Sequence, residues 1–201
     1  QVLLTKESIV NPECRKMARR TFEELLSHKV VPIVNENDVI SMDELAYGTI
    51  GENDTLAAYV ADLVGADLLI LMSDIEGLYT DDPRKNEKVR FIHTVAKIDE
   101  SLEKMAKGAS TDSGTGGMAT KINAAKIATD AGADMVIANG ENIYTINEIM
   151  NGKKVGTLFL SKEHSIGQEN EIAPETPQYR RSAKKLKKVR GMSVIDLGTE
   201  L

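Results

Sequence analysis

The run Gly114-Thr115-Gly116-Gly117-Met118-Ala119-Thr120-Lys121 sets glycines in front of a helix-forming stretch and a lysine in that stretch's first turn. Glycine backbone bends freely enough to aim several N–H groups at one anion, and the start of a helix is its positive end, so the pattern suits a phosphate. Lys121 adds a mobile cation. Phosphoryl transfer needs one, because charge on the moving group must be neutralised while the attacking and leaving oxygens are held in line. The run is neither a Walker A loop nor a dinucleotide fingerprint. Alone, it leaves a lesser second reading, a flexible linker with a solvent-facing lysine.

Three further polar clusters shift that balance. Asn35-Glu36-Asn37-Asp38 follows an apolar run and offers four polar side chains that can grip the ammonium or hydroxyl groups of a small molecule, although Asn and Asp also simply favour turns. Gly51-Glu52-Asn53-Asp54 leads into a helix, where Asn and Asp also serve as caps. Between these two lies a stretch, residues 40–50, that reads as a loop able to close over a ligand. Ser73-Asp74 ends a second apolar run, and Gly77 and Pro83 mark turns just after it. His28, His93 and His164 lack metal-ligand spacing, and no nucleophile elbow is present, so no metal site or hydrolase triad is expected.

These clusters need a frame, and hydrophobic periodicity supplies one. Asn11-Pro12-Glu13 starts a helix expected over residues 11–27, with Met17, Ala18, Phe22, Leu25 and Leu26 on one face. Strands are expected at 30–34, 67–72, 134–138 and 156–160, and helices from Asp54 or Thr55 to 64, then at 101–106, 118–131 and 143–150. Such alternation implies α/β architecture, a mainly parallel sheet with helices on both faces, and ligands beyond the carboxyl ends of the strands. No internal repeat is expected. Residues 161–201 read as a polar, then basic extension, partly disordered, with seven basic residues and no acid at 180–190. Without interleaved aromatics this run is expected to be solvated surface, and nucleic acid is not an expected partner.

The chain's 201 residues, 41% of them apolar and 28% charged, with a net charge of −6, are ordinary for a water-soluble protein with one main domain. No apolar run approaches the roughly 20 residues that span a bilayer. The single cysteine, Cys14, cannot close an internal disulfide and fits a reducing compartment such as the cytoplasm.

Taken in order, Val31 through Asp38, Glu52-Asn53-Asp54-Thr55-Leu56, Ser73 through Thr80, Asp82-Pro83-Arg84 and the glycine run to Lys121 resemble the glutamate 5-kinases, members of the amino-acid kinase family, over roughly residues 1–159. The resemblance implies an α/β/α sandwich, with residues 1–160 forming the carboxyl-terminal portion of that domain. It also implies phosphorylation of the γ-carboxylate of L-glutamate by ATP with Mg²⁺, in the first step of proline synthesis. Feedback inhibition by proline and assembly into homo-oligomers come with it. By the same resemblance Asp38 and Asn53 bind glutamate and Asp54 organises the cations around the phosphoryl group. Lys121 is the transition-state cation, and Ser73, Asp74, Thr115, Gly116, Gly117, Met118, Ala119, Thr120 and Lys121 line the nucleotide site. The family's first strand, with its own glycine loop and second lysine, has no counterpart here, so the stretch alone is expected to be inactive. The stretch between Asp38 and Glu52 runs a few residues longer than usual in the family. Beyond Leu160 neither the family's core ending nor its optional RNA-modification-like domain is matched. Two other readings stay open: a kinase of this fold for another carboxylate, carbamate or nucleotide, and a non-catalytic module that binds a nucleotide or amino acid.

Overall fold

A computed structural model describes residues 1–39, 48–81, 86, 88–108, 117–164 and 193–197, with backbone alone for 107–108 and 193–197. The first elements are a strand β1 (Val2–Leu4), a short helix α1 (Lys6–Val10), a helix α2 (Pro12–Ser27) and a strand β2 (Val34–Glu36). Asn11 starts α2 as its sequence demands: the Asn11 side-chain oxygen accepts from the N–H groups of Glu13 and Cys14, at 3.0 and 3.2 Å, and Pro12 occupies the first turn.

β2 begins four residues later than the apolar run 30–34 implies. Pro32 has no N–H to give a ladder, and Val30, Val31 and Ile33 are exposed. Parallel pairing with β1 starts only at Val2 opposite Val34. The strand therefore runs into the polar cluster, and Asn35 and Glu36 lie within it.

Next come a helix α3 (Asn53–Val64), a strand β3 (Leu68–Ser73) and the short strands β4 (Leu78–Tyr79), β5 (Phe91–Ile92) and β6 (Thr94–Val95). They are followed by helices α4 (Glu100–Gly108) and α5 (Gly117–Asp130), a strand β7 (Asp134–Asn139), a helix α6 (Thr145–Met150) and strands β8 (Thr157–Phe159) and β9 (Ser193–Leu197). At the start of α4 the Ser101 hydroxyl and the Leu102 N–H both donate to the Asp99 carboxylate and hold its pKa below the ordinary aspartate value.

The central sheet has the order β6-β8-β7-β3-β9 and is parallel except between β7 and β8. Alternation along β3 and β7 sends side chains to opposite faces. Leu69, Leu71, Met135 and Ile137 pack with α3 and α5 on one side; Leu68, Ile70, Met72, Val136 and Ala138 pack with Ile149 of α6 on the other. This is the α/β/α layering expected from the alternating elements. A third cluster, with Leu4, Ile9 and Phe22, takes the second face of α3 through Leu56, Val60 and Leu63. α3 is thus apolar on two sides, one toward the sheet and one toward β1, α1 and α2.

Two differences from the sequence reading concern the sheet. Residues 193–197, read as part of a polar, then basic extension without regular structure of its own, form β9 and pair in parallel with β3, Leu68 opposite Ser193. A buried strand cannot leave its outer N–H and C=O groups unpaired, and Ser-Val-Ile-Asp-Leu is a β-branched run short enough to be overlooked behind the basic stretch. Earlier in that extension, the buried Asp134 carboxylate accepts from the Ser161 N–H at 2.8 Å and contacts His164 Nδ1 at 2.9 Å, tying down the chain as it leaves β8.

The second difference is a repeat. Gly65-Ala66-Asp67 follows α3 and Gly132-Ala133-Asp134 follows α5. Each glycine has positive φ, 66° and 94°, and each alanine N–H reaches back five residues, to the carbonyls of Ala61 and Ala128 at 2.9 Å. Both helices thus close with the same left-handed glycine turn, which only glycine adopts without strain.

Both helices then feed adjacent parallel strands, so α3 and α5 run side by side in the same direction. Their facing surfaces carry small residues: Ala57, Ala58, Ala61, Ala124, Ala125 and Ala128 are all buried in one cluster. Enlarging one of them should force the pair apart. We expect Ala58→Leu, at a position with 0% exposure, to lower the unfolding free energy in urea by about 1–3 kcal/mol, the usual range for an overpacked core; an unchanged midpoint would mean that the helices have room to spare.

Candidate functional site

Direction fixes where the helices begin. α3 has 12 residues and β3 has 6, about 18 Å at a helical rise and about 20 Å at a strand rise. Each helix ends where its strand starts, so each begins level with the strand's carboxyl end. The amino termini of α3 and α5 therefore meet at the edge where Ser73 ends β3 and Asn139 ends β7; there the Gly140 N–H donates to the Ser73 carbonyl at 2.7 Å.

At this edge Asp54 and Lys121 meet. Lys121 Nζ donates to Asp54 Oδ2 at 3.1 Å, and the two side chains are only 16% and 14% exposed. The Thr120 hydroxyl contacts the same oxygen at 3.1 Å and lies 2.9 Å from the Gly117 carbonyl, so its single hydrogen is shared between them. One carboxylate from the first turn of α3 thus holds two consecutive residues near the start of α5. Asp54 lies at the positive end of its own helix, which favours its charge. The ammonium group keeps N–H bonds beyond the one given to Asp54 and can direct them at an anion.

Asp54 does not cap α3, as either it or Thr55 was expected to. The cap residue is Glu52, whose side chain makes no capping hydrogen bond, and the helix starts at Asn53. Backbone N–H groups in a helix's first turn have no partner within the helix. Without a side-chain cap those of α3 are disposed to take an anionic group, as helix starts commonly do. Asn53 itself is exposed at the first helical position.

The other expected residues fall around this centre. The Ser73 hydroxyl donates to Asp74 Oδ1 at 3.0 Å where β3 ends, Ser73 half-buried and Asp74 exposed. Gly117 and Ala119 are exposed in the first turn of α5, whereas Met118 is half-buried and packs against the core between helices and sheet. Asp38 is exposed in the turn after β2. Thr115 and Gly116, with the rest of the glycine run before Gly117, lie outside the described residues, as do residues 40–47, residues 82–85, where Pro83 marks an expected turn, and the basic run 180–190.

Glu36 behaves differently from the rest of its cluster. It is buried, and its carboxylate accepts from the N–H of Ile50 at 2.6 Å and that of Gly51 at 3.1 Å. The sequence reading counted it among residues able to grip a ligand. Once the strand is known to run over 34–36, two-residue periodicity puts Glu36 on the same side as Val34, toward the interior.

No helix among the described residues is long and apolar enough to cross a membrane. At the carboxyl edge of the sheet the side chains of Asp54, Thr120 and Lys121 are joined, as are those of Ser73 and Asp74.

Comparison with known proteins agrees with this frame. The family model described as "Amino acid kinase family" matches residues 1–139. A glutamate 5-kinase from Clostridium tetani is 52% identical over 159 residues, covering 79% of this chain and 58% of that protein. One from Clostridium perfringens is 46% identical, over 81% of this chain and 61% of that protein. One from Carboxydothermus hydrogenoformans is 45% identical over 200 residues, 100% of this chain and 50% of that protein, a match that takes in the segment after Leu160. The chain thus spans about half to three-fifths of the length of the curated relatives it matches. Among solved structures, the carbamate kinase of Giardia lamblia bound to AMP-PNP aligns with a TM-score of 0.49 at 19% identity, over 71% of this chain and 44% of that one. With its family match covering more than half of its residues, this chain belongs to the amino acid kinase family.

Proposed function

We propose that the protein containing this chain transfers the γ-phosphoryl group of ATP to the γ-carboxylate of L-glutamate, forming glutamyl 5-phosphate, as the first step of proline synthesis. The observation that carries this reading is the Asp54–Lys121 pair at the joined starts of α3 and α5. The identity of 45–52% to proteins named glutamate 5-kinase supports the choice of acceptor.

In this reading a side-chain carboxylate oxygen of glutamate attacks the γ-phosphorus. A new P–O bond forms, the bond from the γ-phosphorus to the oxygen bridging the β- and γ-phosphates breaks, and ADP leaves with that electron pair. No proton has to be removed, because a carboxylate is already ionised near neutral pH. The chemical demand is therefore electrostatic. Lys121 meets the charge that spreads over the transferring group, and Asp54 and Thr120 hold it there. The open start of α3 and Asn53 receive the acceptor, with Asp38 beside them on the β2 side. Ser73, Asp74 and the residues from Thr115 to Thr120 line the nucleotide.

Among the described residues no group of three His, Cys, Asp or Glu converges to hold a metal. Mg²⁺ in this scheme arrives on the nucleotide's phosphates, its common mode of binding, and no step is assigned to it. Proline as a feedback inhibitor, self-association and a cytoplasmic location belong to the same proposal.

Two measurements test it in the intact gene product. With ATP, L-glutamate and hydroxylamine, the wild type should form glutamyl hydroxamate, and Lys121→Ala should lower kcat by about 10²- to 10³-fold, the scale for losing one preorganised charge-stabilising donor, with an unchanged circular dichroism spectrum. Near-wild-type turnover by Lys121→Ala would remove Lys121 from the mechanism. In unfolding experiments, a double-mutant cycle of Asp54→Ala with Lys121→Met should give a coupling of about 1–3 kcal/mol, as expected for a contacting pair; a coupling near zero would show that Asp54 does not anchor the ammonium group.

A further inference from the structure

Glu36 is a buried carboxylate with no part in the transfer step above. It ends β2, and both its oxygens are bound by consecutive backbone N–H groups, those of Ile50 and Gly51, fourteen and fifteen positions further on. Burying a carboxylate costs free energy unless each oxygen is matched by a donor. Charge-assisted bonds to two successive amides meet that requirement and fix the orientation of the peptide plane as well as its position.

The loop does not need Glu36 merely to close. Ile50 is itself buried with Leu4, Phe22 and Leu56, which fixes its depth but leaves rotation of the adjoining peptide free. Gly51 has a φ of 87°, and Glu52 follows it as the cap residue of α3. The Glu36 bridge therefore sets the path on which the chain enters α3. On the other side, the Asn37 N–H is held by the Leu4 carbonyl at 2.8 Å. Two short stems leave this knot: one carries Asp38, two residues beyond Glu36, and the other carries Asn53, two residues beyond Gly51.

We propose that Glu36 is a positioning residue for the acceptor: through the amides of Ile50 and Gly51 it sets the spacing between Asp38 and Asn53, and it acts on acceptor binding without touching the acceptor. This rests on the assignment of Asp38 and Asn53 to the acceptor site. The nucleotide side is independent of the bridge, because Ser73 and Asp74 follow β3 and Lys121 lies on α5. Asp54 is held from α5 by Lys121 and Thr120, so the transfer geometry survives loss of the bridge.

Glu36→Gln tests this in the intact gene product, since the amide keeps the volume and one acceptor oxygen but turns an NH₂ group toward one of the two N–H donors. KM for L-glutamate should rise by about tenfold or more, while kcat and KM for ATP stay within about threefold, the pattern of lost acceptor binding rather than lost chemistry. Amide hydrogen exchange at Ile50 and Gly51 should quicken in the variant, while β3 and α5 keep their protection. Glu36→Asp, which keeps the charge but is one methylene too short to reach both amides, should show the same split to a smaller degree and serves if the glutamine variant does not fold.

An unchanged KM for the acceptor, unaltered exchange at Ile50 and Gly51, or equal losses in both KM values and kcat would each overturn the positioning role. Failure of the acceptor assignment would look different. The wild type would then phosphorylate another small carboxylate or carbamate in place of L-glutamate, and the KM split would be read with that acceptor.

Discussion

Small residues between α3 and α5 let two helix backbones approach closely, and most of the site follows from that approach. Ala57, Ala58, Ala61, Ala124, Ala125 and Ala128 leave nothing bulky between the helices. Because both helices end in the same Gly-Ala turn and feed neighbouring parallel strands, they are matched in direction and in height against the sheet. Their positive ends are therefore forced together at one edge. An aspartate in the first turn of one and a lysine near the start of the other can then meet at 3.1 Å without either side chain reaching out through solvent. The pair contributes less to folding than the alanine contact does; a largely desolvated ion pair roughly balances its own desolvation. In the proposed transfer it supplies a cation already fixed in direction.

The two sides of α3 divide the labour. Toward the sheet, its alanines fix the helix relative to α5, β3 and β7. Toward the amino-terminal elements, Leu56, Val60 and Leu63 bind it to Leu4, Ile9 and Phe22. The unit made by β1, α1, α2 and β2 is thus fastened to the central sheet largely through one helix, and the polar bridge from Glu36 adds a second link at the start of that helix. A helix held on two faces and at its entry has little freedom to tilt. The first turn of α3, which carries Asn53 and Asp54, is accordingly rigid although Asn53 is exposed.

Much of this was legible in the sequence where one physical rule acted alone. The parallel αβ alternation, the strands Leu68–Ser73 and Asp134–Asn139, and the start of α2 followed from periodicity and capping chemistry. Asp54 and Lys121 were singled out by residue type, and the structure joins them. The misses arose where a second rule overrode the first. Val30 and Val31 have strand propensity, but they are exposed, Pro32 has no N–H to give a ladder, and pairing with β1 starts at Val34. Asp54 favours a cap position, yet its carboxylate is committed across the helix interface to Thr120 and Lys121, and Glu52 caps instead. β9 depends on pairing with a strand more than a hundred residues away, a contact that local pattern cannot report. The Gly-Ala-Asp repeat is too short to register as a repeat until both copies are seen closing equivalent helices.

Local preference and observed structure disagree most around the start of α3, at the carboxyl edge of the central sheet. There a carboxylate is buried at Glu36 against two backbone amides, a helix begins without a side-chain cap at Glu52, and an ion pair is desolvated at Asp54 and Lys121. The uncapped start and the desolvated pair are each a poor choice for stability taken singly, since a capping serine and a neutral pair would each serve the fold as well. Glu36 holds the amides of Ile50 and Gly51 in set directions, the first turn of α3 lacks a side-chain cap, and the Lys121 ammonium group keeps N–H bonds beyond the one given to Asp54. The opposite end of the sheet shows the contrast. There the buried Asp134 carboxylate is answered by Ser161 and His164, and both helices are closed by glycine turns. In the proposed transfer, an anionic acceptor and a nucleotide would meet preset donors at the carboxyl edge.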